Sequence, residues 1–401
     1  MSLGRRSKVV DLGSATSLAV LTGLLVLLQR VQAFDALNRG GGNQLAQLMT
    51  VWAVLAVLLG RVQFRVMADV SEISNSDVWT RVRPERALTR GTPLEQCLIA
   101  VSIALSPLAW YWPGRLVPVL LATASYCLST PILLSRVGSA YGLGKARFAQ
   151  LLIFFNVLVQ FIAVNIALLT PSISPTQVAC ATSLAQGITA TLVLTVPVDQ
   201  IVVNWHTYLW PVKQFLAGSG LLGAAWILCQ ADVLAALIVS GTSDYAALPQ
   251  SLYLGKTGLY AVLPIAPLLA RATRCGQLRS QKGLTLIVIL GAPVASMLIF
   301  LTISLLDQGG ILNIDLTSWP KLALISLSQA LFAITMVYSY RLAMLAVVPV
   351  FVFTIPILAS LIIVLSADPL QNATSAHLFL AVSFVGSAVL ALTKISRKLN
   401  A

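Results

Sequence analysis

The chain has 401 residues, 58% of them hydrophobic and only 10% charged, with a mean hydropathy of +0.88. An ordinary soluble domain is about a quarter charged, so this balance excludes one and points to a chain that crosses a membrane repeatedly. The net charge of +13 would suit a nucleic-acid partner. However, no basic face alternates with stacking aromatics, so nucleic acid is excluded as a partner too.

Twelve apolar runs approach the roughly 20 residues needed to cross a bilayer core. They lie at about 13–33, 45–66, 95–112, 115–135, 148–170, 175–198, 213–239, 248–270, 284–306, 321–341, 344–366 and 375–394. Backbone groups must pair within each span in lipid, and the alternation of a β-barrel is absent, so the runs are helices. The expected fold class is an all-α polytopic membrane protein of about twelve transmembrane helices. They form two six-helix halves related by pseudo-twofold symmetry.

Arg5, Arg6 and Lys8 precede the first run as in a secretory signal, but the run is long and no small-x-small cleavage site follows it. It reads as a retained helix. Arg30 falls toward the outer end of span 1 and Arg61 toward the inner end of span 2. The connection over about 66–93 mixes Arg81, Arg83, Arg86 and Arg90 with Asp69, Glu72, Asp77 and Glu85. Its plain role is solvation and topology, with anionic headgroup contact as the alternative.

Span 5 carries Gln150, Asn156, Gln160 and Asn165, and Asn156 and Gln160 share a face at i,i+4. Hydrogen bonding between helices is the commoner use of such residues, and lining a sugar path is the sharper one. The polar aromatic stretch from Asp199 to Lys213 reads as the cytoplasmic connector between residues 1–200 and 201–401.

Sliding the chain by 201 residues aligns Gln29 with Gln230, Gly40 with Gly241, Asn43 with Asp244 and Ala46 with Ala247. Six spans per half give both halves the same orientation, with a central site between them. Asp232 lies near the outer part of span 7, and Lys256 in the outer half of span 8, ahead of Pro264 and Pro267.

With both termini cytoplasmic, twenty of the 26 basic residues fall inside and only Arg39, Arg115 and Lys321 outside. That asymmetry is the positive-inside pattern. It leaves Arg30, Arg61 and Lys256 within the membrane. An ionisable group at the bilayer centre costs roughly 2.5–3.5 kcal/mol on insertion scales and normally faces a protein interior or hydrated cavity. Three cations of one sign imply an internal anion site. The bland alternative for Arg30 and Arg61 is snorkelling to an interface. For Lys256 it is simple neutralisation by Asp232.

The five cysteines are scattered and show no metal-ligand spacing. His206 and His377 are the only histidines, and HExxH, GxSxG, Walker-A and DxD patterns are missing. No enzyme, metal or cofactor is expected.

Gln230-Ala-Asp232-Val-Leu, Asp244-Tyr-Ala-Ala, Tyr253-Leu-Gly-Lys-Thr-Gly-Leu-Tyr260 and Leu263-Pro-Ile-Ala-Pro267, with Asn43 to Arg61 in the first half, carry a family likeness. The chain resembles the multidrug/oligosaccharidyl-lipid/polysaccharide exporter superfamily, and within it the polysaccharide-type flippases. The resemblance implies that basic residues of helices 1, 2 and 8, here Arg30, Arg61 and Lys256, line a central cavity. The chain is short for that family and its outer loops are sparse.

The expected function is therefore a flippase in the cell inner (plasma) membrane. It would carry a polyprenyl-diphosphate-linked saccharide from the cytoplasmic to the outer leaflet by alternating access. Arg30, Arg61 and Lys256 would bind the diphosphate, Asp232 would act as charge partner or coupling group, and Asn156 and Gln160 would line the cavity. Membrane lipid is a further partner, and a coupling ion is left open. The alternatives are an ion-coupled multidrug extruder of the same fold, or a membrane-embedded transferase acting on polyprenyl-linked sugars.

Overall fold

The computed structural model describes residues 3–75, 92–195, 253–254, 294, 297–298 and 301–310; within 3–75, the side chains of 3–13, 38–40 and several later positions, Arg61 among them, are not described. Five helices order the N-terminal part: α1 (Leu3–Asn75), α2 (Pro93–Tyr111), α3 (Leu116–Gly142), α4 (Ala146–Leu168) and α5 (Pro175–Thr195). Among the described residues, five segments are long and apolar enough to cross a membrane: Ser14–Leu37 within α1, and the whole of α2 to α5.

α1 is helical throughout but is not one straight rod. Arg30 Nη1 donates to Met49 Sδ, whereas a straight helix separates residues nineteen apart by about 28 Å. The run therefore reverses between them, where the sequence places the first outer turn. Gly41 sits in that reversal. A Cβ there would lie 3.1 Å from Leu37 Cβ, so the close approach favours a residue without a side chain.

Local sequence explains the other helix ends. Thr92 caps α2: its Oγ1 accepts from the Glu95 N–H at 3.2 Å, and Glu95 Oε2 accepts from the Thr92 N–H at 2.8 Å. Pro93 occupies the first turn, where its missing N–H costs nothing. Gly114, at φ +91°, makes the tight α2–α3 link beside exposed Tyr111 and Trp112. Gly144, at φ +84°, closes α3, with Lys145 N donating to Ala140 O at 2.9 Å.

The chain divides into two compact units, one of Met1–Gln29 with Leu55–Pro211 and the other of Arg30–Val54 with Val212–Ala401. In the first unit, Val62, Val66 and Val70 of α1 pack with Ile99, Ile132, Ala190 and Leu194. α3 meets this part of α1 through Gly138 and Gly142, one turn apart. A Cβ at Gly138 would stand 2.4 Å from the Gln63 carbonyl oxygen, and one at Gly142 would stand 2.7 Å from Val70 Cβ. Small residues spaced by four let two membrane helices touch backbone to backbone. α5 is the central helix of this unit, with 72% of its most apolar window buried against 28% for α2 and for α4.

α3 runs past residue 135, where the apolar pattern ends, to Gly142. The reason is Arg136, whose charge looks like a helix boundary. Its Nη2 instead donates to Glu95 Oε2 at 3.1 Å, with both side chains largely buried.

Candidate transport-path residues

Arg30 is half-buried on α1. Its Nη1 meets the Met49 thioether, while its Nε is buried without a hydrogen-bond partner. A thioether is a weak, uncharged acceptor, and among the described residues no carboxylate pairs with Arg30. Nearby on the same helix, Gln32 Oε1 is likewise buried and unpartnered. Phe34, fully buried, packs its ring against Tyr253 with centroids 5.8 Å apart and planes tilted by 53°. Tyr253 precedes Lys256 by three positions in sequence. Lys256, Asp232 and the side chain of Arg61 lie outside the described residues.

The amides of α4 occupy the first unit. Gln160 Nε2 donates to Gln186 Oε1 of α5 at 2.6 Å, and Gln186 Nε2 reaches Thr130 Oγ1 of α3 at 3.4 Å. Thr130 in turn donates to Tyr126 O at 2.6 Å. Asn156, one turn before Gln160, is 9% exposed, and its Oδ1 is buried without a hydrogen-bond partner. The flanking members of the series serve structure. Gln150 Nε2 donates to the fully buried Tyr141 Oη, and Asn165 Nδ2 to Phe161 O on its own helix at 2.8 Å. The structure thus joins Gln160 to two neighbouring helices and leaves Asn156 with an open acceptor.

Sequence reasoning did not single out Thr130, Gln186 or Glu95. Thr130 and Gln186 sit in runs that read as plain spans, and only helix packing sets them opposite Gln160. Glu95 carried a legible signal, since Thr92-Pro-Leu-Glu95 is a capping box opening an apolar run.

An all-helical membrane protein with twelve spans in two halves is the fold of the MATE transporters of the MOP superfamily, and solved members of that group share it with this chain. A MATE crystallised with MaD3S superposes with a TM-score of 0.62 at 13% identity, over 98% of this chain and 97% of that one. An outward-facing multidrug resistance MATE family transporter of the MOP superfamily gives 0.59 at 14% identity, over 96% of each chain. A MOP superfamily transporter from Pyrococcus furiosus Vc1 gives 0.56 at 14% identity, over 96% of this chain and 95% of that one. For that protein a reversed polarity of the binding pocket has been taken to suggest a different function. No family model and no curated protein sequence matches the chain.

Proposed function

We propose that this chain is a membrane transporter that works by alternating access and extrudes an organic solute with ion coupling. The observation that carries the reading is a likeness to MATE transporters that runs over nearly the whole of both chains. The halves 1–200 and 201–401 would rock about a central site, with both termini on the cytoplasmic side of the inner membrane as the distribution of basic residues favours.

A second reading rests on a separate observation, the guanidinium of Arg30, whose Nε is buried without a hydrogen-bond partner and which no carboxylate pairs among the described residues. An interior cation suits an anion, and Arg binds a diphosphate bidentately. In this reading the cargo is a polyprenyl-diphosphate-linked saccharide bound by Arg30, Arg61 and Lys256. Asp232 holds or releases Lys256, and Asn156 and Gln160 line the path. The Pyrococcus furiosus relative supports the idea that pocket polarity varies within this fold.

One reconstitution separates the two. Proteoliposomes holding the full chain are loaded with ethidium, an organic cation, or with a fluorescent polyprenyl-diphosphate saccharide in one leaflet, under an imposed proton or sodium gradient. Gradient-driven ethidium movement, with no gain of saccharide lipid in the opposite leaflet, is the expected result. Saccharide-lipid movement that Lys256→Ala abolishes, without ethidium movement, would establish the second reading instead. Absence of both overturns the transporter assignment for these cargo classes.

A further inference from the structure

A hydrogen-bond relay in the first unit fixes how one amide of α4 is turned. Thr130 Oγ1 has a single proton and gives it to Tyr126 O at 2.6 Å, so toward Gln186 it can only accept. Gln186 therefore turns its Nε2 to Thr130, at 3.4 Å, and its Oε1 to Gln160. Gln160 has to answer with a donor, and its Nε2 does so at 2.6 Å. The relay starts at a backbone carbonyl of α3, passes through α5 and ends on α4. It leaves the Gln160 carbonyl oxygen outside.

Asn156 stands one turn earlier on α4 and shares that face. It is 9% exposed, and its Oδ1 is buried with no hydrogen-bond partner. The exposed apolar stripe of this helix is made by Leu151, Phe155, Ile162 and Ile166. Gln160 is half-buried on the opposite side, so its exposure is toward protein and not toward lipid. Two amide oxygens thus lie together on the inward side of a membrane helix, and one of them is orphaned. A buried polar group left unsatisfied in a native protein calls for an explanation, and a guest is one.

The guest that satisfies two acceptors is a hydrogen-bond donor. An N–H group of an organic cation and an O–H group of a sugar both qualify. The cation gains more, because two carbonyl oxygens bring the negative ends of their dipoles together. A bare metal ion fits less well. Calcium and magnesium gather about six oxygens, carboxylates among them, and no cluster of His, Cys, Asp and Glu among the described residues could hold one.

We propose that Asn156 Oδ1 and Gln160 Oε1 form a subsite that accepts hydrogen bonds from the N–H groups of an organic cation. This inference rests on the organic-solute reading above, and names the part of the cargo that the protein reads. The test is calorimetric titration of the full chain in nanodiscs with two cations of the same charge. Ethidium carries two exocyclic amino groups, and tetraphenylphosphonium carries no donor.

Asn156→Leu should weaken ethidium binding by about fivefold or more, the loss of one hydrogen bond to a charged guest, and leave tetraphenylphosphonium within about twofold. A merely structural role for Asn156 would move both cations alike, and that result overturns the subsite. An unchanged ethidium affinity overturns it too, even where binding of a saccharide lipid falls. So does binding of neither cation by the parent protein. Sodium that displaces ethidium from the parent but not from the variant would give the place to a coupling ion instead, against the proposal. Should Asn156→Leu fail to insert, the parent is titrated with ethidium permethylated at both amino groups, and equal affinity for the two dyes overturns the subsite. Binding as expected without gradient-driven movement of either cation defeats the functional reading and leaves the subsite standing.

Discussion

Replacing Arg30 separates the two proposed cargoes. Its Nε is buried and unpaired, and its one described hydrogen bond is to a sulfur that carries no charge. An organic cation gains nothing from such a group, so Arg30→Ala should leave ethidium extrusion within about twofold of the parent, whereas a diphosphate would lose a bidentate contact. Under the second reading the same change cuts movement of the saccharide lipid by about tenfold or more, and Arg30→Lys restores part of it, since charge survives but the planar fork does not. Initial rates normalised to membrane abundance separate the cases. Arg136 shows another fate of a largely buried cation: Glu95 compensates it, and the pair ties two helices together. Both are arginines in apolar surroundings, and their neighbours, not their residue type, set them apart.

Helices carry the second lesson. The apolar pattern places spans over about 95–112, 148–170 and 175–198, and the helices Pro93–Tyr111, Ala146–Leu168 and Pro175–Thr195 agree to within a few residues. The span expected over about 115–135 continues to Gly142, because its last two turns are held by contact with α1 and by Glu95 rather than by hydrophobicity. Gly138 is the tightest point of that contact. Gly138→Ala puts a methyl against a backbone oxygen that has no rotamer to escape into. We expect a cost of about 1–3 kcal/mol, the usual range for overpacking, and Gly138→Leu should prevent stable insertion. Thermal unfolding in detergent reads the first variant and membrane abundance the second; an unchanged midpoint for Gly138→Ala would show that the two helices separate there.

For the whole molecule, the distribution of charge and the fold make a joint prediction. Twelve spans with cytoplasmic termini place Gly41, Ser243 and Gly310 outside, and Arg86, Gln277 and Asn400 inside. Single cysteines at these sites, probed with an impermeant maleimide on intact cells, should label the first three only. External labelling at Gln277 would overturn the orientation of the C-terminal half. The likeness to MATE structures at 13–14% identity rests on how helices are ordered and packed, since so few residues are shared.

The residues by themselves determined the class and the span pattern. Membrane insertion is governed by local hydrophobicity and by flanking charge, and both are properties of consecutive residues. The likeness in fold to the MATE structures was legible for a similar reason, since the number and order of the spans are read from consecutive residues. Partnership was not legible. Nothing in the order of residues says that Gln160 meets Gln186, that Ser106 meets Ser183, or that Arg30 faces a thioether while Arg136 faces a carboxylate. Those pairings join residues up to 77 positions apart. They arise only when helices pack, because which face of a helix meets which neighbour is set by the packing partners and not by the order of residues along one span.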